Sequence, residues 1–210
     1  MKEEYTDIGA ATTDALEISR KSRGLISEMI GDETAEDMIK QRCVIATGDP
    51  SIAEIIRFLH YPVQAGLQAL EKGAPIHVDI KMVEAGIVKK VHKSKIEAFI
   101  GKGDKLAYSQ GLTRTSAGVL TIQEELSGSI VVIGNAPSAL LALCDLMQSE
   151  QARPELVIGV PVGFVNAAES KERLRTMQVP SISTEGTRGG TPIAVAALNE
   201  IINIYARTHH

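Results

Sequence analysis

From residue 74 onward, short apolar runs alternate with amphipathic stretches, and no other feature of the chain limits its fold so strongly. Residues 75–79, 97–100, 129–133, 156–160 and 181–184 have the length and composition of strands, and four of the five read as buried or half-buried. Residues 136–149, 167–176 and 191–205 carry apolar side chains at helical spacing, and each follows a strand through a loop rich in Gly or Pro. This order predicts a mostly parallel sheet covered on both faces, with right-handed crossovers. The expected fold is α/β, a three-layer α/β/α arrangement of flavodoxin-like type with an N-terminal helical segment. That segment, up to Gly73, reads as helices throughout. Thr12, Thr13 and Asp14 offer caps for a helix with Leu16, Leu25, Ile26 and Met29 on roughly one face, and residues 33–42 continue helical. Asp49 can cap a new helix after the break at Pro50, and Pro62 suits the first turn of another that stops at Gly73.

The 210 residues suit one domain, taken as 1–210. Hydrophobic residues make up 44% and charged residues 23%, the balance of a chain that folds on its own. Aromatic residues are only 3% and Trp is absent, so base-stacking platforms are not expected and nucleic acid is a poor candidate partner. A formal net charge of -4 means that any anionic ligand must be held by local Arg or Lys groups. Cys43 and Cys144 lie far apart without metal or redox spacing and read as buried free thiols. Residues 1–7 lack the apolar core of a signal peptide, and no apolar run approaches the ~18 residues of a membrane span, so the expected location is cytoplasmic. His209 and His210 are assigned no function.

In a sheet of this kind ligands bind beyond the carboxyl ends of the strands, so the loops that follow the apolar runs are the place to look. Gly134, Asn135, Ala136 and Pro137 follow one run, where Asn135 can present an amide and a helix N-terminus favours negative charge; the alternative is a plain strand-to-helix turn. Pro161, Val162, Gly163, Phe164 and Val165 form an apolar loop suited to a wall against a flat ligand. Lys171 beyond it is available for a carboxylate, although by spacing Glu169 and Lys171 equally suit solvated helix charges. Gly186, Gly189 and Gly190 surround Arg188 before a helix, as in an anion-binding nest, but match no nucleotide motif. Asp79 ends its strand at the same rim, as a helix cap or as a group that orients a basic part of a ligand. His77 and His92 sit in strand-like surroundings with no partner at motif spacing and read as structural. No GxSxG, HExxH or paired-carboxylate pattern supports a hydrolase, and no metal-ligand set is present. The residues by themselves define an α/β domain with an anion-tuned pocket at its strand ends.

GNAPSALLALCDLM (134–147), RPELVIGVPVGFVNAAESKE (153–172) and EGTRGGTPIAVAALNEI (185–201) together resemble the C-terminal half of precorrin-8X methylmutases. APIHVDIKMVEAGI (74–87) is similar to the family's strand, aspartate and following helix, and Thr113-Arg114 to its Thr-Arg pair. The resemblance implies an isomerase that moves one methyl group between neighbouring carbons of a corrin precursor in cobalamin biosynthesis. It implies no enzyme-bound cofactor, a homodimer, and a polycarboxylate ring as substrate, with or without cobalt. Carried over to this chain, the substrate-binding set is Ser22, Arg42, Thr47, Asp79, Arg114, Asn135, Val162, Gly163, Lys171 and Arg188. In RCVIATGD (42–49) the chain departs from the family: Ile45 stands where the family has the histidine held to protonate the ring, and an isoleucine cannot donate a proton. The expected Tyr of the first helix is Ser19, while Ser22 is kept. The alternatives to a methylmutase are a non-catalytic tetrapyrrole-binding protein and an isomerase acting on a different corrinoid.

Overall fold

The structure, a computed structural model, describes Ala10 and residues 12–209. Residues 1–7, considered above for leader character, and His210 lie outside the described residues. Helix α1 (Thr13–Ile30) starts where the Thr12 hydroxyl accepts the Ala15 N–H. Helix α2 (Ala35–Thr47) starts in a reciprocal capping box of Thr34 and Asp37. There follow α3 (Ile52–Ile55), β1 (Ile56–Leu59), α4 (Pro62–Glu71), β2 (Ile76–Val78), α5 (Lys81–Gly86), β3 (Ile96–Ala98), α6 (Asp104–Gln110) and α7 (Arg114–Thr121). The remainder is β4 (Ile130–Ile133), α8 (Pro137–Gln148), β5 (Leu156–Gly159), α9 (Ala167–Arg175), β6 (Ser181–Thr184) and α10 (Thr191–His209).

The six strands form one sheet in the order β1-β6-β5-β4-β2-β3. Strands β2 to β6 are mutually parallel. Taken from the β3 edge, they run second, first, third, fourth, fifth in chain order, the flavodoxin-like winding. The chain reverses its direction of travel across the sheet between β2 and β4, and crevices for ligands open at such switch points. Side chains alternate between two cores. Ile130, Val132, Leu156 and Ile158 face α2, α4, α5 and α10, whereas Val131, Ile133 and Val157 face α7, α8 and α9. Both cysteines are buried and free, and burial pushes each thiol up to about 12.

Two expectations for the N-terminal segment are corrected. The stretch up to Gly73 is not all helical: β1 adds an antiparallel edge to β6, stitched from Ile56 opposite Thr184 to Leu59 opposite Ser181. Only Ile56 of its four residues is buried, so β1 lacks the apolar signature of the inner strands. On α1, Ile26 packs against the core but Leu25 and Met29 are 65% and 69% exposed. Buried Arg23 turns the helix, because its guanidinium reaches Glu200 of α10, 2.7 Å away, and the face holding residues 23, 26 and 30 goes inward. His92 is also displaced from its expected setting and lies in the loop before β3, its Nε2 2.8 Å from the Val88 carbonyl oxygen. Among the described residues no helix is long and apolar enough to cross a membrane.

Candidate functional site

Because β2, β4, β5 and β6 are parallel, the residues that follow them share one edge of the sheet, and this gathers Asp79, Asn135, Val162 and Arg188. At the switch point Asp79 is fully buried, and its Oδ2 accepts the N–H groups of Asn135 (2.7 Å) and Ala136 (2.9 Å). Burial pushes its carboxyl above the usual carboxylate range, against the opposing pull of those N–H groups. Asp79 therefore ties down the entry to α8 across the switch, instead of capping its own helix α5, and Asn135 is left exposed. A Cβ on Gly134 would lie 2.9 Å from the Ala194 Cβ, so glycine lets the start of α10 close against the end of β4.

The next two loops are laced into a unit. The Gly190 N–H donates to the Val160 carbonyl (2.7 Å) and the Gly163 N–H to the Thr187 carbonyl (3.0 Å). A Cβ on Gly189 would stand 2.2 Å from the Val160 carbonyl oxygen, which excludes any side chain. Outside this seam Val162 and Val165 are exposed, and Phe164 is 95% exposed, an apolar wall without cover. Lys171 is 0% exposed, contrary to the expectation that it waits at the surface for a carboxylate. Its ammonium donates to Thr184 Oγ1 (3.0 Å) and to the Arg188 carbonyl (2.6 Å), and burial, with Arg175 nearby, lowers its pKa to about 8. Glu169 of the same helix is exposed as expected. Arg188 is thus held at its main chain by Lys171, while Nη2 of its side chain reaches Asp49 Oδ2 and Ser51 Oγ, both at 2.8 Å.

Arg42 is also corrected. Rather than facing a ligand carboxylate it pairs with Glu200 (3.2 Å), which is fully buried and shared with Arg23. Three residues further along α2, Ile45 is 40% exposed. Thr47, the last residue of α2, is exposed and turns its hydroxyl back to donate to the Cys43 carbonyl (2.9 Å). Ser22 is half-buried on α1. At the far end of the rim Arg114 opens α7, and its Nε and Nη2 each donate to one oxygen of Asp104 at 2.9 Å. The hydroxyls of Thr113 and Ser138, 2.7 Å apart, join the start of α7 to that of α8. Arg188 follows β6 and Arg114 lies beyond the end of β3, with β5, β4 and β2 between those strands, so the two stand toward opposite ends of the rim.

The partners Asp104, Ser51, Thr184 and Glu200 are absent from the sequence reading. Glu200 alone left a trace, as a carboxylate inside the apolar stretch AALNEII. His77 is buried in β2, and burial lowers its pKa, as suits a structural histidine kept neutral. A cleft of about 550 Å³ lies beside the rim, between the end of α1, α2 and α3; Met29, Lys40, Pro50, Ser51 and Glu54 line it, and it shares Ser51 with the Arg188 contact.

Helices α7, α8, α9 and α10 all begin at this rim and turn the positive ends of their dipoles toward it. Fold and rim together define a doubly wound α/β protein whose strand ends carry helix N-termini, which favour negative charge, beside an exposed apolar loop. The sequence profile described as precorrin-8X methylmutase matches residues 17–204. A cobalt-precorrin-8 methylmutase of Methanocaldococcus jannaschii is 42% identical over 206 residues, covering 93% of this chain and 96% of that protein. One from Methanothermobacter thermautotrophicus is 40% identical over 200 residues, with the same shares covered. The crystal structure of precorrin-8x methyl mutase from Thermus thermophilus superposes with a TM-score of 0.84 at 34% identity, covering 91% of this chain and 97% of that one. The chain belongs to the precorrin-8X methylmutase family, isomerases of cobalamin biosynthesis that carry out a methyl migration.

Proposed function

We propose that this chain is a cytoplasmic, homodimeric methylmutase acting, as one domain, on a corrin precursor that carries cobalt. The cobalt form is favoured by the names of the archaeal relatives above. The single observation behind the ring-binding role is the width and chemistry of the rim. Arginines near its two ends meet carboxylate arms, helix N-termini favour their charge, and the exposed Val162, Phe164 and Val165 cover the ring face. Asn135 and Gly163 border the ring, and Ser22 and Thr47 approach it from the helical layer. Arg42, Asp79 and Lys171 act through their neighbours: they fix α2, the α8 entry and the Arg188 loop.

Catalysis rests on holding the ring in the shape from which the methyl group moves, with the proton coming from a donor other than residue 45. Ile45 favours a second reading, a corrinoid-binding protein that does not turn over. The test is to mix purified protein with cobalt-precorrin-8 and follow the visible spectrum, which reports binding and conversion separately. Where no other group supplies the proton, Ile45→His should raise the conversion rate about 100- to 10,000-fold, and the added rate should fall as pH rises through the new histidine's pKa, because the protonated imidazole is the donor; where another donor already acts, neither that gain nor that pH dependence should appear. Binding without conversion by both parent and Ile45→His would leave the non-catalytic reading. No spectral change at high micromolar protein would remove both.

A further inference from the structure

Three carboxylates of this chain hold the three arginines assigned to the ring, Arg42, Arg114 and Arg188, and they differ in their freedom to let go. Glu200 is fully buried beneath Arg42 and Arg23 and has no solvent to turn into. Asp49 grips Arg188 with Oδ2, but its Oδ1 accepts both the N–H (3.0 Å) and the hydroxyl (2.6 Å) of Ser51, so it cannot swing aside. Asp104 is different. Among the described residues Arg114 is its only side-chain hydrogen-bond partner, and the side chains of Asp104 and Arg114 are 51% and 62% exposed. The two parallel bonds from Nε and Nη2 are the arrangement by which an arginine takes up any carboxylate, a ligand's included.

We propose that Asp104 is a stand-in carboxylate: it occupies Arg114 while the site is empty and gives way to a carboxylate arm of the ring. This rests on the reading that Arg114 binds the ring. The exchange costs little, since an exposed ion pair is weakly held and the released Asp104 turns into water. Arg114 holds the Asp104 carboxyl below its usual range, so the stand-in is charged at every working pH. It keeps the guanidinium aimed, and it competes with the arm, lowering affinity for substrate and product alike and speeding product release. Asp104 is thus a residue that sets affinity without touching the reacting carbons.

The experiment is a double-mutant cycle read by titrating the coloured, rearranged corrin product at about 0.15 M salt, where surface fields beyond about 8 Å are screened. Asp104→Asn should bind the product roughly two- to fivefold more tightly and release it more slowly by a similar factor. Arg114→Ala should weaken binding, and adding Asp104→Asn to Arg114→Ala should change nothing more. Glu150→Gln, which removes one exposed charge beyond the end of α8, controls for net charge and should leave affinity unaltered. Weaker or unchanged binding by Asp104→Asn overturns the proposal, as does tightening that persists without Arg114. If Arg114→Ala itself binds normally, Arg114 is no ring contact and the stand-in falls with it, while the family membership and the remaining rim residues stand untouched.

Discussion

A lysine without exposed surface must spend its ammonium on internal acceptors, and Lys171 spends it on Thr184 Oγ1 and the Arg188 carbonyl. Thr184 Oγ1 donates to the same carbonyl (2.7 Å), so two side chains fix the main chain from which the Arg188 guanidinium projects. Lys171→Met keeps the length of the side chain and removes both bonds. It should weaken ring binding through a looser Arg188 loop even where the protein stays folded. A pH signature separates this role from simple packing. The folded-state pKa is about 8 against an ordinary 10.5, so between these values the unfolded chain holds the proton that the folded one has lost. Stability of the parent relative to Lys171→Met should therefore rise as pH goes from 8 to 10.5 and be level below 8. Urea midpoints of the two proteins at pH 7, 9 and 10 measure it, and a gap that narrows with rising pH would contradict this assignment.

At the scale of elements, α10 is the beam against which α1 and α2 are set, and Glu200 is its fastening. The carboxylate, fully buried, receives Arg23 of α1 and Arg42 of α2 on one oxygen, with Arg207 at 3.9 Å from the other. Glu200→Gln keeps the shape but leaves buried guanidinium groups without their counter-charge, and should cost about 3 kcal/mol in urea unfolding. A loss under about 1 kcal/mol would show that the remaining contacts of Arg23 and Arg42 suffice. The same fastening explains what sequence periodicity left hidden. Strands β4 and β5 were legible as continuous apolar runs, β2, β3 and β6 as short segments bounded by turn residues, and the helices between them because each is apolar on one face. Helix α1 was read with Leu25 and Met29 inward, but a charged residue sets its rotation, through a partner 177 positions away. Strand β1 escaped because among the described residues it pairs with β6 alone, at the sheet edge, and three of its four residues are half-buried. In the site, the loops and their glycines were visible locally. The inward turn of Lys171 was not, because Thr184 and the Arg188 carbonyl lie 13 and 17 residues away and spacing along one helix carries no trace of them.

For the whole molecule, the rotation of α1 has a consequence for assembly. Turning residues 23, 26 and 30 inward leaves Ile18, Leu25 and Met29 exposed, and with Ser22 they recur at steps of four, three and four along one side of the helix. Such a stripe is about 16 Å long at 1.5 Å per residue and has the seam spacing of paired helices. A second copy of α1 is the occupant that suits it in the proposed homodimer, since two identical stripes related by a two-fold axis cover one another. Ser22 sits within the stripe, so the joint would adjoin one of the residues assigned to the ring. Leu25→Lys places a charge in the seam at a position already 65% exposed in the single chain, so folding should be unaffected. Sedimentation should then show the parent as a dimer and the variant as a monomer with the parent's melting temperature. Ring binding should weaken alongside, because half of the surroundings of Ser22 leave with the partner. A monomeric parent would remove the dimer, and a variant that stays dimeric would move the interface off α1. A monomeric variant with undiminished affinity would place the whole ring site within one chain.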